Sequence, residues 1–218
     1  MRREELAKMI DHTLLKPQAT EEDVKRLVDE AKQMGFYAVC VNPWYVGLAS
    51  KLLRGSGIKV AGVVGFPLGS TFAEVKEKEA GYIAEMGADE ADMVMNIGAL
   101  RSGRYNDVVK EIRSVVKFNF EHVKVIIEVS LLSEEEVKAA CDAIIDGGAD
   151  FVKTSTGFLQ RATTAEDIAL LKRIAGDKLK IKAAGGIRSY DQALEMIKAG
   201  ASRIGTSTGP EILKGAPD

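Results

Sequence analysis

The stretch SEEEVKAACDAIIDGGADFVKTSTG (133–157) sets out one complete structural unit. Ser133 with Glu136 three residues on has the form of a helix N-cap backed by an acidic residue. An amphipathic run follows as far as Gly147, where a glycine is expected to take the left-handed conformation that ends a helix. ADFVKTSTG (149–157) then reads as a short strand closed by turn residues. The same unit recurs in both directions along the chain. Strand-like runs are MIDHT (9–13), FYAVCVNP (36–43), KVAGVVGFP (59–67), EADMVMNIG (90–98), HVKVIIEVS (122–130), ADFVKTSTG itself, LKIKAAGG (179–186) and ASRIGTSTG (201–209). Between them lie amphipathic segments such as TEEDVKRLVDEAKQMG and TTAEDIALLKRIAG. Thr20 with Asp23 and Thr164 with Asp167 repeat the capping pattern, and Gly35, Gly87, Gly176 and Gly200 repeat the terminal glycine.

Eight strand–helix alternations predict parallel strands joined by crossover helices. Over 218 residues each unit has about 27 residues, lean but sufficient for a barrel. An open doubly wound sheet usually has fewer strands and a Gly-rich fingerprint after the first, which is missing here. The expected fold is α/β, a single (β/α)8 TIM barrel spanning 1–218, because no linker or composition break divides the chain.

Composition narrows the function. Lys and Arg number 30 against 32 Asp and Glu, a net charge of −2, with 46% hydrophobic residues. That suits a large core and excludes disorder. Near-neutral charge and a pI of about 5.9 offer no basic field, so neither nucleic acid nor a membrane is expected as partner. Two cysteines, Cys40 and Cys141, suit a reducing compartment. MRREELAKMIDHT at the start has no signal-peptide character, and a cytoplasmic location is expected. With two histidines and no HxxxH or CxxC spacing, imidazole-ligated metal chemistry is not expected.

A barrel carries its chemistry at the C-terminal ends of its strands. Alternation puts Asp92, Val94 and Asn96 on one face of strand four, Lys153 with Phe151 and Ser155 on strand six, and Lys182 with Lys180 on strand seven. A strand lysine is costly to bury without a partner or a purpose. One such lysine could pair with a carboxylate or snorkel outward. Two on adjacent strands, with Asp92 across the barrel, point instead to an amine whose charged form is disfavoured by desolvation and like charge. Such an amine is nucleophilic near neutrality and can form a Schiff base with a carbonyl. The condition is an amine on the inner wall of strand six, neither turned to solvent nor locked in a tight ion couple.

Loops seven and eight of a barrel commonly bind phosphate. Here they read AAGGIRS (183–189) and GTSTG (205–209). Gly185, Gly186 and Gly205 permit close backbone approach, Ser207 and Thr208 offer hydroxyls, and Arg188 offers a guanidinium fork. Asp11, ending strand one, suits a substrate hydroxyl, a lysine or a helix cap. Cys40 is either a small core residue or a reactive thiol, and Cys141 fits the buried face of a helix. Trp44 and Tyr45 suit the barrel rim or an oligomer contact, and GFPLG (65–69) the cavity mouth.

Taken together, IDHTLLKP (10–17), AVCVNP (38–43), VVGFPLG (63–69), DMVMNIGAL (92–100), DFVKTSTGF (150–158), KAAGGIR (182–188) and ASRIGTSTG (201–209) resemble the deoxyribose-phosphate aldolase family. The resemblance implies reversible cleavage of 2-deoxy-D-ribose 5-phosphate to D-glyceraldehyde 3-phosphate and acetaldehyde, in deoxyribose and deoxyribonucleotide catabolism. It implies Lys153 as Schiff-base lysine, Lys182 as its companion and Asp92 as acid/base. Phosphate contacts would fall on Gly157, Gly185, Gly186, Arg188, Gly205, Ser207 and Thr208, with Asp11 toward the substrate. No metal or organic cofactor is implied. A homo-oligomer, dimer or tetramer, is expected because barrels of this size commonly pair. The chain departs from the family at Val129, where Thr is usual, and at Phe158, where some members have Lys. It also ends in LKGAPD without the terminal Tyr of some members, so proton exchange at the enamine carbon is expected to rely on Asp92, Lys182 and water. Rival expectations are another phosphosugar barrel enzyme, such as an isomerase or a transaldolase-type aldolase, and a non-catalytic phosphosugar sensor.

Overall fold

A computed structural model describes residues 1–159 and 161–217; Gln160 and Asp218, the last residue of LKGAPD, lie outside the described residues. Every β-branched run noted above forms a strand. They are β1 (Ile10–Leu14), β2 (Ala38–Val41), β3 (Lys59–Val64), β4 (Glu90–Val94), β5 (His122–Ile126), β6 (Phe151–Lys153), β7 (Lys180–Ala184) and β8 (Arg203–Thr206). All pair in parallel in chain order, and β8 returns to β1 through Asp11 opposite Gly205, closing the barrel. The fold is the expected (β/α)8 barrel.

Around it run α1 (Arg3–Ala7), α2 (Glu21–Met34), α3 (Val46–Leu53), α4 (Ala73–Glu85), α5 (Ile97–Arg101), α6 (Tyr105–Val116), α7 (Glu134–Gly147), α8 (Ala165–Ala175), α9 (Tyr190–Ala199) and α10 (Gly209–Lys214). Reciprocal capping boxes open α2, α7 and α8 at Thr20, Ser133 and Thr164, each satisfying two otherwise orphan N–H groups. Three helix ends differ from expectation, one of them at Gly200, whose φ of 122° and ψ of 5° lie outside the left-handed helical region. Gly147 is still helical and buried, and Gly148 takes the left-handed turn at φ 81°. A Cβ on Gly147 would come 2.4 Å from Ile112 Cγ2, so packing against α6 keeps the first glycine small and the second makes the turn. Gly176, at φ 58° and ψ −127°, closes α8 outside the left-handed helical region.

The strands' two faces have opposite chemistry. Val39, Val41, Val60, Val64, Met93, Val123, Val125, Val152, Ile181 and Ile204 point outward into one apolar layer shared with the helices. Inside the barrel lie a small apolar group, Leu15, Cys40, Ala61 and Val63 with Phe66 against it, and the buried side chains of Val94, Ile126 and Phe151 on the inward faces of β4, β5 and β6. Among these the lumen carries buried charges.

Candidate active site

Alternation along the strands turns seven buried charged side chains of the described residues into the barrel. Asp11 comes from β1, Glu90 and Asp92 from β4, Lys124 from β5, Lys153 from β6, Lys182 from β7 and Arg203 from β8. The acids all belong to the first four strands and the bases all to the last four. Lys153 and Lys182 are register partners on neighbouring strands. Asp92 is the hub: its Oδ2 accepts from Lys153 Nζ and Lys182 Nζ, each at 2.7 Å, and its Oδ1 from Lys124 Nζ at 2.8 Å. Lys182 also donates to Asp11 Oδ2 at 2.5 Å, and Arg203 to Asp11 Oδ1 at 2.9 Å. Lys124 reaches Glu90 Oε2 at 2.6 Å, closing the network. The Arg203 guanidinium carbon lies over the Tyr37 ring, 3.6 Å from its centre.

Burial pushes the Asp92 carboxyl up, but the ammoniums of Lys124, Lys153 and Lys182 outweigh it and hold it well below the usual range. Asp11 is likewise raised by burial and pulled down further by Lys182 and Arg203, to about 2. Burial lowers Lys182, yet Asp11 and Asp92 raise it above the ordinary lysine value. Burial pushes the Cys40 thiol up to about 11, aided by Asp92, whose Oδ2 lies 3.9 Å from Sγ. Of the two roles considered for Cys40, the buried one fits.

One expectation is corrected here. Lys153 is not turned to solvent, at 3% exposure, but neither is its amine free of an ion partner, since it bonds to Asp92. The bond is not private. Three ammoniums compete for one carboxylate, and the lumen holds four cations against three anions.

Above this network opens a cavity of about 440 Å³ at the C-terminal ends of the strands. Lys153 is the one charged member of the lumen network in its wall; Asp92, Lys182 and Asp11 lie beneath. Gly185, Gly186, Arg188, Gly205 and Ser207 line it together, as loops seven and eight suggested, and Gly157, expected from the resemblance, lines it beside them. Thr208 does not: its hydroxyl and backbone N–H turn to Thr206 Oγ1. Gly205 has a further use, for a Cβ there would come 3.0 Å from Lys182 Cε. Asp11 does not line the cavity, and of its considered roles the structure has it holding a lysine. Asn96 caps α5 through Ala99 N–H. Phe158 lines the mouth and packs edge-on against Phe66 of GFPLG. Val129 is buried in the apolar layer, where a hydroxyl would lack that packing. Trp44 is exposed, while Tyr45 donates to the Ala19 carbonyl.

Lys124, Glu90 and Arg203 were not among the sequence candidates, although each is a charge inside a strand, the same signal that singled out Lys153. Thr13, Lys16 and Thr156 also line the cavity; only their place at or just beyond the C-terminal ends of β1 and β6 hints at it.

Over residues 6–215 the chain matches the model of the DeoC/LacD family aldolases. It is 55% identical to the deoxyribose-phosphate aldolase of Thermococcus kodakarensis, covering 100% of both chains. With that of Caldicellulosiruptor saccharolyticus it shares 53% identity over 98% of this chain and 99% of the relative. The deoxyribose phosphate aldolase of Aeropyrum pernix, described as having a unique tetrameric structure, superposes with a TM-score of 0.91 at 38% identity, covering 97% of this chain and 91% of that one. With a matching barrel, a matching family model and relatives of this identity over the full length, the chain belongs to the DeoC/LacD family of aldolases.

Proposed function

We propose that the chain is a deoxyribose-phosphate aldolase that works through a Schiff base on Lys153. The observation that carries this is the placement of Lys153 Nζ, in the cavity wall and 2.7 Å from Asp92 Oδ2, with Lys182 on the same oxygen. Four cations against three anions leave the lumen one positive charge in surplus. Of the four cations in the network, Lys153 is the one whose amine faces the cavity. Its link to Asp92 is then a route for protons and not a lock.

The amine's lone pair adds to C1 of the open-chain sugar, and loss of water leaves a protonated imine. Asp92 carries protons to and from the carbinolamine oxygen, with Lys182 holding the carboxylate in place. When the C3 hydroxyl gives up its proton, the C2–C3 bonding pair moves to C2 and D-glyceraldehyde 3-phosphate leaves. The enamine is protonated at C2, and water releases acetaldehyde and the free amine. Gly185, Gly186, Arg188, Gly205 and Ser207 are the proposed phosphate contacts, with Gly157 beside them; anchoring there sets C1 over Lys153 and lowers the entropic cost of attack. Thr208 supports that loop through Thr206. The names of the relatives support this substrate; with that substrate the proposal extends to a place in deoxyribonucleotide catabolism in the cytoplasm.

Self-association is part of the proposal. Phe72, Val75, Tyr82 and Met86 are exposed at helical spacing along α4 and its ends, a stripe suited to a second copy. Among the described residues no helix is long and apolar enough to cross a membrane.

Borohydride added with acetaldehyde tests the chemistry. It should reduce the imine to N-ethyl-lysine at Lys153 in a peptide map, and Lys153→Arg should abolish both adduct and turnover. An adduct on Lys182, or none, refutes the mechanism.

A further inference from the structure

The loop after β5 holds a residue in a conformation it does not choose by itself. Glu128 sits at φ 48° and ψ 63°, the left-handed region, where side chains other than Gly, Asn and Asp are uncommon. It is also buried, and its Oε1 has no hydrogen-bond partner. Backbone strain together with an unsatisfied buried carboxylate oxygen is a costly arrangement, of the kind that persists where the rest of the site requires it.

The other oxygen shows what is gained. Glu128 Oε2 accepts from Thr156 Oγ1 at 2.6 Å and from Thr156 N–H at 3.1 Å. Thr156 Oγ1 in turn accepts from Phe158 N–H at 3.2 Å. The threonine's only hydroxyl proton is therefore committed to Glu128, which leaves its oxygen as a pure acceptor in the cavity wall. Thr156 lies three residues beyond Lys153, and the adjoining Gly157 stands against Gly185 of the proposed phosphate loop. Thr156 thus sits between the nucleophile and the anion-binding end. Ile127 N–H and Val129 N–H donate to the carbonyls of Lys153 and Thr154, so the Glu128 segment is stitched to the nucleophile's own strand.

We infer that Glu128 is a positioning residue that clamps Thr156 so that its hydroxyl oxygen accepts from a hydroxyl donor in the middle of the bound substrate. This rests on the aldolase function proposed above. The clamp bears on the long phosphorylated sugar; acetaldehyde, which ends at its second carbon, does not reach it.

Glu128→Gly is the decisive variant, because glycine adopts φ 48° without strain while removing the carboxylate. Its kcat for deoxyribose 5-phosphate cleavage should fall about ten- to a hundredfold, with borohydride trapping of acetaldehyde on Lys153 within about twofold of wild type. Glu128→Gln, which keeps an acceptor oxygen for Thr156, should recover most of the loss. In a Thr156→Val background, which lacks the oriented hydroxyl, Glu128→Gly should cost less than about threefold more. Full cleavage activity in Glu128→Gly overturns the clamp. So does a parallel loss of trapping, which marks general damage to the site, and so does full additivity with Thr156→Val. Absence of a wild-type adduct at Lys153 is a separate failure, visible before any variant is made, and it removes the function on which the clamp rests.

Discussion

Asp92→Asn is the sharpest perturbation of the lumen. The substitution keeps the shape of the side chain but removes the charge that three ammoniums share at 2.7 to 2.8 Å. Four cations then face two anions. At least one face of the new amide must also turn its NH2 toward ammonium donors, leaving hydrogen bonds unmade. Removing one partner of a buried ion pair costs about 3–5 kcal/mol. For a chain of this size each kcal/mol lowers Tm by roughly 2–4 °C, so the variant should melt about 6–20 °C below wild type near pH 7. The pH dependence has a definite sign. Burial raises the Asp92 carboxyl, but the three ammoniums hold it well below the usual range when folded. Its stabilisation is therefore fully present above the unfolded value of about 3.9 and is lost as pH falls through the lower folded value. Wild type and variant should thus converge in acid and differ most near neutrality. Scanning calorimetry or circular dichroism melts between pH 3 and 7 measure the gap. A Tm difference under about 3 °C at pH 7, or a gap that widens in acid, refutes the hub role of Asp92.

Lys182→Met removes the ammonium that holds Asp92 Oδ2 beside Lys153, so kcat/KM at pH 7 should fall at least about a hundredfold in a coupled triose-phosphate assay. Arg188→Ala should raise KM for deoxyribose 5-phosphate about tenfold while leaving turnover of unphosphorylated deoxyribose unchanged; equal effects on both would remove Arg188 from the phosphate site. Burial pushes the Cys40 and Cys141 thiols up to about 11 and about 12. Ellman's reagent at pH 8 should therefore find almost no reactive thiol in the native protein and both after unfolding in guanidinium. Ser133→Ala removes the capping box of α7 and should cost about 1 kcal/mol in urea melts, with catalysis intact.

Much of this was legible from period and punctuation. Strands of alternating β-branched residues have one apolar face whatever fills the other, so all eight could be placed, and three capping boxes follow from spacing alone. Lys153 and Lys182 stood out because a lysine inside a strand contradicts burial unless the lumen receives it. Lys124 and Arg203 obey the same rule, but Lys124 stands in a strand whose loop carries no second signal, and in the strand of Arg203 the GTSTG loop drew the reading to phosphate binding instead. Which acid each base meets depends on the stagger of a closed barrel, and no local pattern encodes it. Asp11 meets Lys182 and Arg203 across 171 and 192 residues of sequence. The bend at Glu128 was invisible for a different reason: glutamate has no intrinsic preference for it, and the surrounding loop imposes it. Gly147 and Gly148 show the limit at helix ends, where a neighbouring isoleucine decides which of two glycines makes the turn.

The division of lumen charge between the two halves of the chain bears on how the molecule is made. A ribosome delivers β1 to β4 first, with three carboxylates and no base to answer them, so that portion has reason to stay open to water until the remainder emerges. The later portion then arrives with an excess of cations, and mutual attraction helps to bring the two together. A protein cut in the connection between α6 and β5 and expressed as two pieces would carry the same instruction: each piece repels its own kind inside a closed ring and favours the other, so mixed pieces should reassemble into working barrels more readily than either piece doubles on itself.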